Sequence, residues 1–134
     1  MGNHAMANTT RGVWSGGYNG GVKNEIDYIT IASVGNATDF GNLTVAGYFT
    51  ETAHSIVRGL IFSGTNRTNV IDYITIASVG NATDFGDHLS GNNPANGYAA
   101  HNKTYAYYNR ADGATSYQEK HTIATAANAT QFTW

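Results

Sequence analysis

Few of the 134 residues offer side chains that do chemistry. Cysteine is absent, so the chain has no thiolate ligand, disulfide or sulfur nucleophile. Five histidines remain. Three of them, His4, His54 and His101, fall at the start of three successive stretches, in Asn3-His4-Ala5, Ala53-His54-Ser55 and Ala100-His101-Asn102. Imidazoles gathered from equivalent places around an axis would hold a metal or an anion. Their spacing to the next segment is uneven: seven residues before Arg11, four before Arg58 and three before Thr104. The competing reading is three ordinary polar residues beside water. His88 and His121 fit no pattern. Two carboxylates, Asp27 and Asp72, interrupt apolar segments, where an acid costs free energy unless it is paired or hydrogen-bonded. They read as ligand-binding candidates at equivalent places between repeats, or as ties to a neighbouring turn. Glu119 stands at the aligned place in the third stretch.

The remaining motifs carry no catalysis. Asp39-Phe40-Gly41 and Asp84-Phe85-Gly86 spell the metal-binding triplet of kinases, but the phosphate loop, strand lysine and catalytic loop are missing. Both triplets follow Gly-Asn-Ala-Thr, so Asp39 and Asp84 are expected to bond turn backbone. No nucleophile–base pair or metal-ligand spacing can be assembled, so no catalytic residue, metal or cofactor is assigned and a non-enzyme is expected. Seven basic against nine acidic residues, with no basic run, argue against nucleic-acid binding. No stretch approaches the roughly 20 apolar residues that span a bilayer. Residues 1–6 lack the basic and apolar parts of a secretory signal, so a soluble protein is expected. Asn-x-Ser/Thr triplets at Asn8, Asn36, Asn42, Asn66, Asn81, Asn102 and Asn128 reflect abundant Asn and Thr rather than glycan acceptors.

The elements that would position these residues repeat. Ile26 to Gly41 reads IDYITIASVGNATDFG, and Ile71 to Gly86 is identical, 45 residues on. Lys120 to Phe132 is a worn third copy that keeps Thr122-Ile123-Ala124 and Asn128-Ala129-Thr130. Upstream of each copy lies a partner segment: Arg11 to Gly17, Arg58 to Gly64, and Thr104 to Tyr108. Every unit divides into four short stretches rich in Tyr, Ile, Val and Thr, separated by Gly/Asn clusters, which predicts strands and turns and no helix. Neither face of Ile26 to Ser33 is cleanly polar, so that strand is expected to be covered on both sides. The period falls in the range of β-propeller blades. A β-solenoid is the alternative, although its coils are usually shorter.

The order of features resembles the kelch repeat: Gly16-Gly17 closing the second segment, Tyr28 and Tyr73 in the third, Phe40, Phe85 and Phe132 in the fourth. More narrowly, the wording is similar to kelch-like repeats in structural and hypothetical proteins of marine cyanobacterial phages. The resemblance implies an all-β propeller with three blades, at about 2–46, 47–91 and 92–134, and a place in the virion or host cytoplasm. Three blades are too few to close a ring, so a homodimer closing a six-bladed ring is expected. The function expected is a non-catalytic binding or structural module, a phage particle component or adhesin contacting a glycan or a virion protein. Trp14, Tyr18, Tyr48, Tyr107 and Tyr108 would suit sugar stacking. The alternatives are a metal, anion or enzyme site at the axis, and a truncated repeat array without dedicated activity.

Overall fold

The computed structural model describes residues 5–48, 50–63, 69–89, 97–112 and 115–133. It is all-β, with no helix among the described residues. Three four-stranded antiparallel sheets follow one another along the chain. Sheet 1 holds β1 (Ala5–Ala7), β2 (Arg11–Tyr18), β3 (Val22–Thr30) and β4 (Thr38–Asn42). Sheet 2 holds β5 (Glu51–His54), β6 (Arg58–Phe62), β7 (Val70–Thr75) and β8 (Thr83–Asp87). Sheet 3 holds β9 (Tyr98–His101), β10 (Tyr105–Asp112), β11 (Thr115–Thr122) and β12 (Thr130–Gln131). Within each sheet, strands pair in chain order. The first strands adjoin, β1 beside β5 and β5 beside β9.

Local chemistry sets each turn. Between the first two strands of each sheet, one side chain accepts two backbone N–H bonds. Asn8 Oδ1 accepts from Thr10 and Arg11, Ser55 Oγ from Val57 and Arg58, and Asn102 Oδ1 from Thr104 and Tyr105. These caps fix the register: Arg11 faces Thr30, Arg58 faces Thr75 and Tyr105 faces Thr122. The third-sheet counterpart of the arginines is therefore Tyr105, not Thr104. The second segment of sheet 1 does not end at Gly16-Gly17. The register slips there and β2 continues to Tyr18.

The sheets stack face to face. Met6, Val13, Ile26, Phe40 and Leu43 of sheet 1 and its following loop pack with Ile61, Ile74, Ile76 and Ala82 of sheet 2 and its turn. Sheet 2 then packs Ala53, Leu60, Phe62, Ile71 and Phe85 against Ala106, Tyr108 and Ile123. Each large side chain so buried contributes about 1.5–3 kcal/mol.

Backbone clamps reinforce the stacking. Gly80 N–H donates to the Phe40 carbonyl at 2.8 Å, Ala82 N–H to the Asn42 carbonyl at 2.8 Å, and Asn42 N–H to Asn81 Oδ1 at 3.1 Å. The next pair of sheets repeats this: Asp87 N–H donates to Asn128 Oδ1 at 3.0 Å and Ala129 N–H to the Asp87 carbonyl at 2.7 Å. So the Gly-Asn-Ala turn, read as a turn in sequence, also holds the preceding outer strand. Gly41 and Gly86 have φ of 147° and 142°, and a Cβ there would strike the carbonyls of Gly80 and Ala127. The glycine of each Asp-Phe-Gly triplet thus permits this close approach, while Phe40 and Phe85 fill the core. Asp84 Oδ1 accepts the Gly86 N–H at 2.9 Å within β8, bracing the register irregularity there rather than the turn that the sequence suggests.

A second tie comes from arginine. Arg11 stacks on Tyr28 and donates to the Ile76 carbonyl at 3.1 Å in the next sheet. Arg58 stacks on Tyr73 and donates to the carbonyls of Ile123 and Ala124. In sheet 3 the pair is exchanged across the strands: Tyr105 takes the arginine place and Lys120 the tyrosine place, with Nζ 4.0 Å from the ring centre.

Stacking leaves two faces uncovered. Ile31, Ile76 and Ile123 hold one repeat position, yet Ile31 is 53% exposed while Ile76 and Ile123 are 0% and 1%. Trp14 is also exposed on sheet 1, where sheet 2 has buried Ile61. At the other end, Tyr98, Ala100, Tyr107, Gln118 and Phe132 line a shallow, mostly apolar groove on sheet 3.

Candidate functional site

The sequence candidates separate in space. His54 and His101 occupy the same register, opposite Gly59 and Ala106, with ring centres 4.5 Å apart. Burial, and to a lesser degree the neighbouring His101, lower the pKa of His54. The sheet 1 residue at that register, opposite Gly12, is Ala7, and His4 lies outside the described residues. The described histidines of the proposed ring therefore form a pair.

Asp27 lies on the uncovered side of sheet 1 and is exposed. Asp72, at the identical place in sheet 2, is buried and accepts two bonds from Thr44, Oγ1–H at 2.6 Å and N–H at 2.9 Å. Burial raises its carboxyl pKa, and the Thr44 bonds oppose that rise. Asp72 thus ties the loop after β4 to sheet 2. Of the aromatics, Tyr18 is exposed and meets Tyr48 edge-on at 5.6 Å, whereas Tyr108 is buried in the core and offers no face to a sugar. A buried phenol ring packed on Phe62 at 4.8 Å is a core residue.

The most concentrated chemistry lies between sheets 2 and 3, where sequence reasoning found no pattern. Glu119 takes the place of Asp72 and keeps the tie, its Oε1 accepting the Leu89 N–H at 3.0 Å. Arg110 Nε lies 3.6 Å from the same oxygen. The other oxygen, Oε2, is 2.6 Å from His88 Nδ1 and 3.5 Å from His121 Nε2. The side chains of His88, Arg110, Glu119 and His121 are all fully buried. Phe62 and Tyr108 wall the histidines, with ring centres 4.9–5.8 Å from that of His88. Burial favours the neutral acid of Glu119, but the neighbouring His121 and His88 outweigh it and hold the carboxyl at about 2. Burial lowers the His88 pKa against the pull of Glu119, which favours the neutral ring. The cluster therefore holds a carboxylate between a guanidinium and two imidazoles, in a site sealed from water.

Strand register supplies the signal that would have found it. His88 stands where Leu43 stands in the first contact, and His121 stands where Ile74 does. Two aliphatic positions from different repeats have become imidazoles that meet on one carboxylate. No protein-family model matches the chain and no curated protein matches it, so the reading of this site rests on its geometry.

Proposed function

We propose that this chain is a non-catalytic structural and binding module, three kelch-like propeller blades that close with a second copy into a six-bladed ring. One observation carries the proposal: Ile31 is half exposed although the same residue of the same repeat is fully covered in the next two sheets. The missing cover has a known shape, because the chain twice makes the contact that would supply it. The groove lined by Tyr107 and Phe132 presents the side of sheet 3 that corresponds to Val13 and Phe40 of sheet 1. Set against a partner's Trp14 and Ile31, it would repeat the internal contacts. Two-fold symmetry makes both junctions at once, and apolar patches of this kind are seldom left open on soluble monomers.

Within that ring the Tyr18–Tyr48 pair offers an aromatic platform suited to stacking on a sugar ring or a partner side chain. A phage particle component or adhesin remains the setting that the sequence resemblance implies. Sedimentation equilibrium tests the assembly. A mass near twice the chain's 14.3 kDa supports it, and a monomer at all concentrations defeats it.

A further inference from the structure

We propose that His88, Glu119 and His121 form a binding site for one divalent transition-metal ion of the Zn2+ type, between the second and third sheets. This is independent of ring closure, since all three residues belong to one chain. Their candidate ligand atoms lie within 4.8 Å of one another. A four-coordinate Zn2+ with bonds near 2.0–2.1 Å sets its ligand atoms about 3.3 Å apart. The 3.5 Å from His121 Nε2 to Glu119 Oε2 already matches, and the 2.6 Å from His88 Nδ1 opens by about 0.7 Å to admit the ion.

His121 is the residue that most needs an explanation. Its ring is fully buried, and neither ring nitrogen has a hydrogen-bond partner among the described residues. Buried polar atoms in this state usually mark a water or ion that completes them. The carboxylate is arranged as metal-bound carboxylates are: Oε2 faces both imidazoles, while Oε1 is held from behind by the Leu89 N–H with Arg110 nearby. Arg110 lies on the far oxygen, so the carboxylate stands between it and the incoming ion. Two imidazoles and one carboxylate select ions such as Zn2+, Co2+ or Ni2+ over Ca2+ and Mg2+, which prefer oxygen ligands. Three protein ligands leave the fourth position of the ion to one water molecule, and Phe62 and Tyr108 pack against the His88 ring beside it.

The repeat supplies its own controls, because His88→Leu and His121→Ile restore the residues found at the first contact. The full chain, without a histidine tag and stripped with chelator, is titrated with Co2+ by visible absorption and with Zn2+ by calorimetry. The expected result is one saturable ion per chain, four-coordinate Co2+ bands, and a Tm that rises with Zn2+. In H88L and H121I, binding should weaken by more than the roughly 10- to 100-fold that loss of a mere supporting residue costs, with unchanged far-UV dichroism. No saturable binding to the wild-type chain overturns the proposal. So does binding that survives H88L and H121I but is lost in a His54→Ala, His101→Ala double variant. If H121I does not fold, Glu119→Gln decides: the Zn2+-dependent rise in Tm must vanish in it, and its persistence overturns the proposal.

Discussion

Replacing Ile31 by alanine separates association from folding. Burying a whole isoleucine side chain contributes about 1.5–3 kcal/mol. Ile31 is already about half covered within its own chain, so closure against a second copy would gain about 1 kcal/mol from the remainder. The proposed two-fold would place Ile31 in both junctions, so Ile31→Ala should weaken the dimer by about 2 kcal/mol, roughly 30-fold in Kd. The same change at Ile76, the identical repeat position but fully buried inside the chain, removes core rather than interface. Ile76→Ala should cost about 2–5 kcal/mol of folding stability. Analytical ultracentrifugation across a concentration series reads the first effect. Denaturant unfolding at a concentration where both variants are monomeric reads the second. An unchanged dimer constant for Ile31→Ala, or monomer destabilisation equal to that of Ile76→Ala, would refute the reasoning.

Three further outcomes follow from the same contacts. Gly86→Ala places a Cβ at φ 142° against the Ala127 carbonyl, and should lower stability by about 3 kcal/mol in chemical denaturation. Arg58→Ala removes two bonds to sheet 3 carbonyls and the stack on Tyr73. It should cost about 2 kcal/mol by calorimetry, whereas Lys120→Ala should cost less than about 1 kcal/mol, the energy of a partly exposed cation–π contact. In metal-free buffer, Glu119 contributes stability that is complete above its unfolded pKa of 4.5 and is lost as pH falls towards about 2. That gap is worth about 3 kcal/mol. Glu119→Gln should therefore flatten the acid limb of stability against pH between 2 and 4.5. His88, kept neutral by burial, adds a fall in stability below its ordinary pKa, and Asp72, with its carboxyl raised, works in the opposite sense.

The three-fold repetition of a four-strand unit is legible because IDYITIASVGNATDFG recurs letter for letter. Its environment is not. The same sixteen letters place Asp27 and Ile31 in water and Asp72 and Ile76 in the core, because burial depends on whether a preceding sheet is present. No periodicity within one copy can say which copy has a sheet packed on that face. Of the histidine trio, His54 and His101 meet, and His4 lies outside the described residues. Asn8, Ser55 and Asn102 cap equivalent turns, which puts Ala7 in register with His54 and His101. The buried cluster was hidden because His88 and His121 come from different repeats. Each looks unpatterned until strand pairing shows that it replaces Leu43 or Ile74. The exchange of Arg11 and Tyr28 for Tyr105 and Lys120 was hidden in the same way: the cation–aromatic pair survives while both identities move across the strands.

Closure is decided most directly by an image of the assembled particle at a resolution that counts sheets around its axis. Six blades related by a two-fold, with Ile31 of each copy covered by the other copy's Tyr107 and Phe132, is the predicted result. A pair joined elsewhere with Ile31 still in solvent, or an open three-sheet wedge, would contradict it.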